Sequence, residues 1–309
     1  MTDRDFTEDA LAIVRRAFAR QMMCHAHRSH SALEAAFATE PRERYLGPPP
    51  WRMASPGGYR DVPSTDPVVL YQDGLFALAE ERRVNNGSPS LHARWLAALA
   101  PRPAERVLHV GTGTGYYTAL LARCVGESGR VLGVEVDPAL AAAARANLAH
   151  LPQARVFVGD GARFPEGEEE VDLVYVNASV ERPAPGWLDR LAVGGRILFP
   201  LGVPGEDRPG SRLASTGIGF GLLARRRGAG DGVFAARAIG PAQFVRAESD
   251  AGVLAATPEE RGSLQRALKG GGAEFVRSLR WRIPPSASGT WHAGPDWSLS
   301  YEEPSPDDP

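Results

Sequence analysis

An apolar run that ends in three alternate glycines constrains this chain more than any other stretch. Residues 107–110 are typical of a strand, and Gly111, Gly113 and Gly115 follow before an apolar, helix-like segment. Glycine lets the backbone turn sharply and lets a ligand approach the main chain closely. The N-terminus of the following helix offers unpaired N–H groups to an anion. The pattern predicts a strand–turn–helix unit whose loop binds a ligand.

A carboxylate at the end of the next predicted strand narrows the kind of ligand. Residues 131–134 predict that strand, and Glu135 follows it, 20 residues after Gly115. A carboxylate in this place can accept hydrogen bonds from both hydroxyls of a ribose. Because Tyr116 stands where a dinucleotide loop has its third glycine, the spacing favours S-adenosylmethionine over a nicotinamide dinucleotide. A glycine-rich turn without any ligand is the alternative interpretation.

Composition excludes several classes of protein. The chain has 309 residues, of which 43% are hydrophobic and 23% charged, as in ordinary globular proteins. The net charge of -2 gives no electrostatic reason to expect nucleic acid or an anionic membrane as a partner. Cys24 and Cys124 are too few for a disulfide framework. With no signal-like start and no apolar run long enough for a bilayer, we expect a cytoplasmic protein.

Strand-like and helix-like segments alternate through the middle of the chain. Such alternation predicts an α/β, Rossmann-like, doubly wound and mostly parallel sheet, here of seven strands. Strand-like stretches at 217–225, 233–239 and 243–248 would add an antiparallel hairpin, and residues 275–283 predict one more strand. The alternating segments are predicted strands at 107–110, 131–134, 156–158, 171–176 and 196–201, and predicted helices at 116–125, 138–150 and 187–191.

Three regions are predicted along the chain. Residues 1–100 form an N-terminal helical, substrate-facing segment, with helices within 5–39 and an irregular proline-rich loop over 47–68. Residues 101–250 form the cofactor-binding domain. Residues 251–309 form a C-terminal extension that contains a helix from Thr257 and ends in an acidic, proline-rich and disordered tail. The extension suits a substrate cap or a dimer contact, so a homodimer is one expected partner.

The candidate site residues all follow predicted strands. In open parallel sheets, ligands bind beyond the carboxyl ends of the strands. The glycine-rich stretch 111–115, Glu135, Asp160 and Asn177 each occupy such an end. Asp160 as a simple turn residue is the alternative. This convergence predicts one ligand site at that edge of the sheet.

Four stretches carry a resemblance to a known family. This order of motifs resembles the protein-L-isoaspartate O-methyltransferases, which are S-adenosylmethionine-dependent class I methyltransferases. The resemblance covers about residues 30–250, and Val193 replaces the proline of the family's Pro-Gly-Gly-Arg strand. The four stretches are AAFATEPRERY at 35–45, the strand, loop and helix at 107–122, VGDG at 158–161 and LAVGGRILFPLG at 191–202.

The resemblance implies S-adenosylmethionine as the cofactor and assigns its contacts. It places the methionine end at 111–113, the ribose hydroxyls at Glu135, the adenine amino group at Asp160 with Gly161 near the ring, and the methyl group near Asn177. The complete set of implied cofactor residues is Gly111, Thr112, Gly113, Gly115, Tyr116, Glu135, Val136, Asp160, Gly161 and Asn177.

The segment 87–93 aligns with the family segment that touches both the cofactor and the substrate carboxylate. The family has a hydroxyl residue two positions before the proline, whereas this chain has Gly87 there and Ser88 beside it. Ser88, Ser90 and His92 are the candidate catalytic residues. A carboxylate acceptor needs no base, whereas an amine or hydroxyl acceptor does. Alternatively, Ser88 only caps a helix and His92 only packs in it.

These observations predict a methyltransferase that acts on the carboxylate of an isoaspartyl or aspartyl residue in a protein or peptide. The alternatives are an O- or N-methyltransferase of a small metabolite and a non-catalytic module that binds the cofactor and recruits a partner. Cys24, His27 and His30 share one helical face, but packed or solvated histidines are favoured over a metal site, so no metal is expected. The tryptophans after residue 280 are expected to pack rather than to line a cleft.

Overall fold

The computed structural model describes residues 7–164, 169–203, 205, 217–228, 232–250 and 252–304. These residues form two compact units. The first unit contains residues 7–105 and 112–159, and the second contains 106–111 and every described residue from 160 onward. Residues 305–309 of the predicted disordered tail lie outside the described residues, and the predicted boundaries at 100 and 250 stay a prediction.

The described residues form a mixed α/β protein, as the alternating pattern predicts. The helices are α1 (Glu8–Ala26), α2 (Ser31–Thr39), α3 (Pro89–Leu99), α4 (Tyr116–Val125), α5 (Pro138–Asn147), α6 (Pro185–Asp189) and α7 (Pro258–Gly270). The strands are β1 (Arg52–Ser55), β2 (Gly58–Asp61), β3 (Ala77–Ala79), β4 (Val84–Asn85), β5 (Arg106–Val110), β6 (Arg130–Glu135), β7 (Ala154–Val158), β8 (Val171–Val176), β9 (Leu191–Val203), β10 (Ile218–Arg226), β11 (Val233–Pro241), β12 (Ser278–Trp281), β13 (Thr290–Ala293) and β14 (Trp297–Ser300).

Side-chain caps fix where helices of the first unit begin. The Thr7 side chain accepts a hydrogen bond from the backbone N–H of Ala10 and so caps α1. The Asp137 side chain accepts from the N–H groups of Ala139 and Leu140 and so starts α5 directly after β6. In this unit β6 and β7 pair in parallel, with Glu135 opposite Val158. The cap therefore turns the chain within two residues of Glu135, the candidate ribose ligand.

The second unit contains eight strands of one mixed sheet, in the order β13-β14-β12-β11-β10-β9-β8-β5. The pairs β5–β8 and β8–β9 are parallel, and the pairs beyond β9 are antiparallel. Residues 173–176 of β8 are all buried, as expected of a parallel strand covered on both faces. The predicted count of seven strands is wrong, because this unit alone contributes eight.

Three local predictions are corrected by the structure. Residues 243–248 are not a strand, since they make only an isolated bridge between Arg246 and Ser179. The loop predicted over 47–68 contains the β1–β2 hairpin, whose strands meet across the two residues Pro56 and Gly57. The strand predicted over 275–283 shortens to β12, and β13 and β14 follow it. Within the described residues, no helix is both long and apolar enough to cross a membrane.

Candidate functional site

Glu135 lies at the carboxyl end of β6 with both carboxylate oxygens engaged by backbone donors. The N–H of Gly113 donates to its Oε2 at 2.7 Å and the N–H of Asp137 to its Oε1 at 3.1 Å. The residue is only 7% exposed, and burial raises the pKa of its carboxyl, while the backbone N–H groups of Asp137, Gly113 and Val136 counter that rise. Because an ionised carboxylate has about four lone-pair positions, Glu135 can still accept from a further donor.

A second contact, made by Thr112, holds the glycine loop (residues 112–116) against β6. Thr112 is buried, and its Oγ1 donates to the carbonyl oxygen of Val134 at 3.2 Å. Gly115 has a φ of 102°, and a Cβ on it would lie 3.0 Å from Leu148 Cδ1. This position therefore requires glycine for both its backbone angle and its packing. The loop brings the Gly113 N–H and the Glu135 carboxylate together, as the sequence predicts.

The side chain of Tyr116, by contrast, packs inside the first unit. It is 5% exposed, and its ring centroid lies 5.4 Å from that of Tyr45 and 6.2 Å from that of Phe37. Tyr116 is the first residue of α4, so only its backbone is placed to face a ligand at the helix N-terminus. Val136, the residue after Glu135, is 39% exposed.

In the second unit, Asp160 and Gly161 form a tight turn. Asp160 Oδ1 accepts from the N–H of Ala162 at 2.9 Å, and Oδ2 accepts from Ser249 Oγ at 2.7 Å. A Cβ on Gly161 would lie 2.3 Å from Val110 Cγ1, so β5 passes too close for any side chain there. Ser249 is a partner that the sequence analysis missed, because it is 89 residues away and belongs to no recognisable motif.

Asn177 follows β8 and contacts His109 of β5 and Gly111, the residue directly after β5. Its Nδ2 lies 2.8 Å from His109 Nε2, and its Oδ1 is buried without a hydrogen-bond partner in the described part of the chain. Burial lowers the pKa of His109 to about 3, so the imidazole is neutral and its Nε2 can accept from the amide. A Cβ on Gly111 would lie 3.4 Å from Asn177 Cβ. His109 thus orients Asn177, a role that the sequence analysis did not predict.

The hydroxyls of the acceptor segment (residues 87–93) converge on one carboxylate, Asp73. Ser88 Oγ donates to Asp73 Oδ1 at 2.9 Å, and Ser90 Oγ donates to Oδ2 at 2.5 Å. The N–H of Ser90 donates to Oδ1 at 3.0 Å. Although burial raises it, the pKa of Asp73 lies below its ordinary value because of these bonds. Ser88 Oγ also accepts from the N–H of Leu91 at 3.3 Å, so Ser88 caps α3.

His92 is 1% exposed and lies inside α3 against Tyr117, with ring centroids 3.6 Å apart and planes 15° from parallel. The Tyr117 hydroxyl donates to the carbonyl oxygen of Gly87 at 3.3 Å. Gly87 has a φ of 71°, and a Cβ on it would lie only 2.2 Å from His92 Nε2. The imidazole therefore fills the space beside position 87 and leaves room for no side chain there.

The helical face predicted for Cys24, His27 and His30 does not form, because α1 ends at Ala26 and His30 caps α2. No group of three or more His, Cys, Asp or Glu side chains that could hold a metal is found within the described ranges. The three tryptophans after residue 280 are buried, and each of their indole N–H groups has a partner, which confirms that they pack rather than line a cleft. Those bonds run from Trp281 to Asp189, from Trp291 to the Gly271 carbonyl and from Trp297 to Glu260.

The arrangement in each unit suits parts of S-adenosylmethionine. A buried carboxylate with spare lone pairs at Glu135 fits a ribose diol, and the unpaired Asn177 Oδ1 offers an acceptor to a donor on a ligand. Position 161 leaves no room for a Cβ beside β5, and Gly111 has a φ of 77°, a backbone angle that favours glycine. These features fit the cofactor class that the sequence predicts.

Sequence comparisons agree with this interpretation. Residues 62–212 match the family described as Protein-L-isoaspartate(D-aspartate) O-methyltransferase (PCMT). The chain is 35% identical over 146 residues to a protein-L-isoaspartate O-methyltransferase of Aeropyrum pernix, a match that covers 46% of this chain and 55% of that relative. It is 37% identical over 186 residues to the enzyme of the same name from Methylorubrum populi, covering 60% of this chain and 78% of the relative. The chain thus spans about half of the first relative and more of the second.

Solved structures establish the fold. A protein-L-isoaspartate O-methyltransferase structure aligns with a TM-score of 0.59 at 20% identity, covering 93% of this chain and 88% of that one. A second, assigned to the same activity in Plasmodium falciparum and bound to S-adenosyl-L-homocysteine, aligns with a TM-score of 0.55 at 16% identity, covering 76% and 98%. The class I methyltransferase fold is therefore confirmed, and S-adenosylmethionine is the cofactor of this class. With more than two thirds of the Methylorubrum populi relative matched at 37% identity, this chain belongs to the protein-L-isoaspartate O-methyltransferase family.

Proposed function

We propose that this protein transfers a methyl group to the carboxylate of an isoaspartyl or aspartyl residue in a protein or peptide. One observation favours a carboxylate over other acceptors. The acceptor segment already holds a carboxylate, Asp73, with two hydroxyls and one backbone N–H at 2.5 to 3.0 Å. The donors of Ser88 and Ser90 therefore have the spacing that a carboxylate acceptor requires.

The chemistry of such an acceptor explains why this segment contains donors. When bound, S-adenosylmethionine supplies an electrophilic methyl group on sulfur. A carboxylate is ionised at neutral pH, so an oxygen of the acceptor can form the new C–O bond without prior loss of a proton. The C–S bond breaks and its electron pair stays on sulfur. The chain then has to align the two reactants, which the Ser88 and Ser90 hydroxyls do by holding the acceptor oxygens.

His92 has a positioning role in this proposal. Its ring is stacked on Tyr117 and abuts Gly87, so it fixes the backbone that leads into Ser88. A buried, stacked imidazole suits a carboxylate acceptor, which needs no general base. The same arrangement gives less support to an amine or hydroxyl acceptor.

On the cofactor side, we propose roles for each unit separately. In the first unit, Thr112, Gly113, Gly115 and the backbone of Tyr116 hold the methionine end. Glu135 and the adjoining Val136 hold the ribose. Glu135 is supported by its burial and by the Gly113 N–H that orients it.

In the second unit, Asp160 accepts from the adenine amino group and Gly161 lies close to the ring. The Ser249 hydroxyl supports this role by orienting the Asp160 carboxylate. Asn177 lies beside the methyl group and Gly111 at the methionine end, both supported by the close approach of the two residues. A homodimer and a cytoplasmic location stay predictions.

A methyl-transfer assay tests this function. The protein is incubated with labelled S-adenosylmethionine and either a short isoaspartyl peptide or its normal aspartyl twin. We expect base-labile label, as a methyl ester gives, on the isoaspartyl peptide and less on the twin. A cofactor that binds in calorimetry while neither peptide is labelled would contradict the proposal for these acceptors. Base-stable label would indicate an amine or hydroxyl acceptor instead.

A further inference from the structure

Asp73 holds both serine hydroxyls of the acceptor segment, and a role for it in acceptor binding rests on the proposed function of that segment. Position 87 can supply no hydroxyl, because a Cβ there would lie 2.2 Å from His92 Nε2. The hydroxyls near the start of α3 are therefore those of Ser88 and Ser90. Both lie within hydrogen-bond distance of Asp73, at 2.9 and 2.5 Å. Any carboxylate that uses these hydroxyls has to meet Asp73.

A serine hydroxyl has one proton and can donate only one hydrogen bond at a time. While Ser88 and Ser90 donate to Asp73, neither can donate to an acceptor. A second carboxylate brought to the same hydroxyls would also lie close to the Asp73 charge, and like charges a few ångströms apart disfavour each other. Acceptor binding and the Asp73 contacts are therefore mutually exclusive at these two side chains.

Asp73 is well placed to leave the hydroxyls and return. The residue itself is exposed, whereas Ser90 is 9% exposed and fixed in the first turn of α3. Displacing Asp73 therefore moves one short side chain and leaves the helix in place. The backbone N–H of Ser90 donates to Asp73 Oδ1, and after the displacement it would donate to the acceptor instead.

We infer that Asp73 is a specificity-determining residue that occupies the acceptor hydroxyls as an internal carboxylate until the acceptor displaces it. An acceptor that offers a carboxylate and few other contacts competes poorly with a tethered one. An acceptor peptide that makes further contacts with the protein can displace it. Asp73 thus favours acceptor peptides that make further contacts with the protein over isoaspartyl residues that offer little besides the carboxylate.

The substitution D73N tests this inference, since asparagine keeps an oxygen for the Ser90 N–H but removes the charge. We expect the KM for a short isoaspartyl peptide to fall roughly tenfold, as one removed like charge at close range can produce. The KM for S-adenosylmethionine should not change. The matched control is D66N, which alters a capping carboxylate that accepts from the N–H of Val68 at 2.9 Å. It should leave both constants unchanged.

Two further variants make the result decisive. Adding S90A to D73N should reverse the gain, because it removes the hydroxyl that D73N frees. D73S provides a second neutral residue that can still accept from the Ser90 N–H, should D73N fold poorly, and the gain should reappear in it. Calorimetry with S-adenosyl-L-homocysteine checks that each variant is folded. An unchanged or increased peptide KM in folded D73N and D73S would overturn the inference.

Peptide binding measured without turnover separates this inference from the proposed function. Fluorescence anisotropy of a labelled isoaspartyl peptide is followed with S-adenosyl-L-homocysteine at saturation. Tighter binding to D73N without methyl transfer by any variant would support the role of Asp73 and contradict carboxyl methylation. Methyl transfer by the wild-type protein with equal binding to D73N would support the function and contradict the role of Asp73.

Discussion

The glycine loop and the acceptor segment lie in the same unit but use their polar groups in opposite ways. In the glycine loop, the Gly113 N–H orients the Glu135 carboxylate, which keeps lone pairs for further donors. In the acceptor segment, the hydroxyls of Ser88 and Ser90 are already bound to Asp73. In the proposed function, the first receives a ligand without rearrangement, whereas the second has to exchange one carboxylate for another.

An aromatic ring links the two regions. Tyr117 follows the glycine loop in α4, stacks on His92 and donates to the Gly87 carbonyl. The acceptor segment is therefore fixed to the helix that starts at the glycine loop. In the proposed function, cofactor binding is therefore built into the fold of this unit, while acceptor choice depends on a few exchangeable side-chain contacts.

The largest expected effect is on the affinity of the glycine loop and Glu135 for the cofactor. E135A removes the carboxylate that the ribose hydroxyls would donate to. Hydrogen bonds to a charged group contribute about 1.5–3 kcal/mol each, so the Kd for S-adenosylmethionine should rise on the order of 100-fold. Calorimetry measures this change. E127A, which truncates an exposed glutamate in the same unit, is the control and should bind normally. Normal binding by E135A would remove Glu135 from the site.

A smaller effect, on the free energy of unfolding, tests the close contact between position 87 and His92 in the acceptor segment. G87A should destabilise the protein by about 2 kcal/mol, since its Cβ meets the His92 ring and its φ is positive. Urea unfolding measures the loss. G47A separates the two causes, because Gly47 has a φ of 70° and nothing within 4 Å of a Cβ.

A double variant that removes the His92 imidazole shows whether its contact with the new Cβ causes the loss of stability in G87A. Combining G87A with H92A should cost less than the two single changes together, because the shortened side chain leaves space for the new Cβ. A loss in G87A no greater than that in G47A would mean that the His92 ring moves aside without cost. Additive losses would have the same meaning.

The contrast also explains which parts of the site could be predicted from the sequence. The glycine loop and Glu135 are 20 residues apart and joined by one helix and one strand, so local spacing fixes their meeting. Asp73 reaches Ser90 from 17 residues upstream, through a stretch with no regular pattern. Ser249 reaches Asp160 across 89 residues. Such contacts depend on the tertiary fold, and a single sequence does not encode them as a pattern.

The strands of the second unit differ in the same way. In β8 every residue except Asp172 is apolar and buried, and this run predicts the strand with its observed bounds, 171–176. The strands β13 and β14 have four residues each and include polar side chains that are buried only by their neighbours, such as Ser298 and Ser300. Short strands of this kind lack an alternating pattern long enough to be recognised.

The smallest expected effect is a pH dependence that only the cofactor side should show. Burial raises the pKa of Glu135, so its carboxyl takes up a proton at a higher pH than an exposed glutamate does. Because the proton is bound more tightly in the folded state than in the unfolded one, this group's contribution to apo stability falls as pH rises from about 4.3 through the raised pKa. Cofactor affinity changes in the opposite direction, because ribose hydroxyls donate to the ionised form.

Calorimetry with S-adenosyl-L-homocysteine from pH 8 downward checks this sign. Below the raised pKa of Glu135, the affinity should fall by up to about tenfold for each pH unit. E135Q should bind weakly with no such slope, since glutamine does not titrate. Asp137 is not the source, because its pKa lies below the ordinary value, chiefly through the Leu140 N–H, and it stays ionised over this range. An equal slope in E135Q would assign the pH dependence to another group and leave Glu135 ionised throughout.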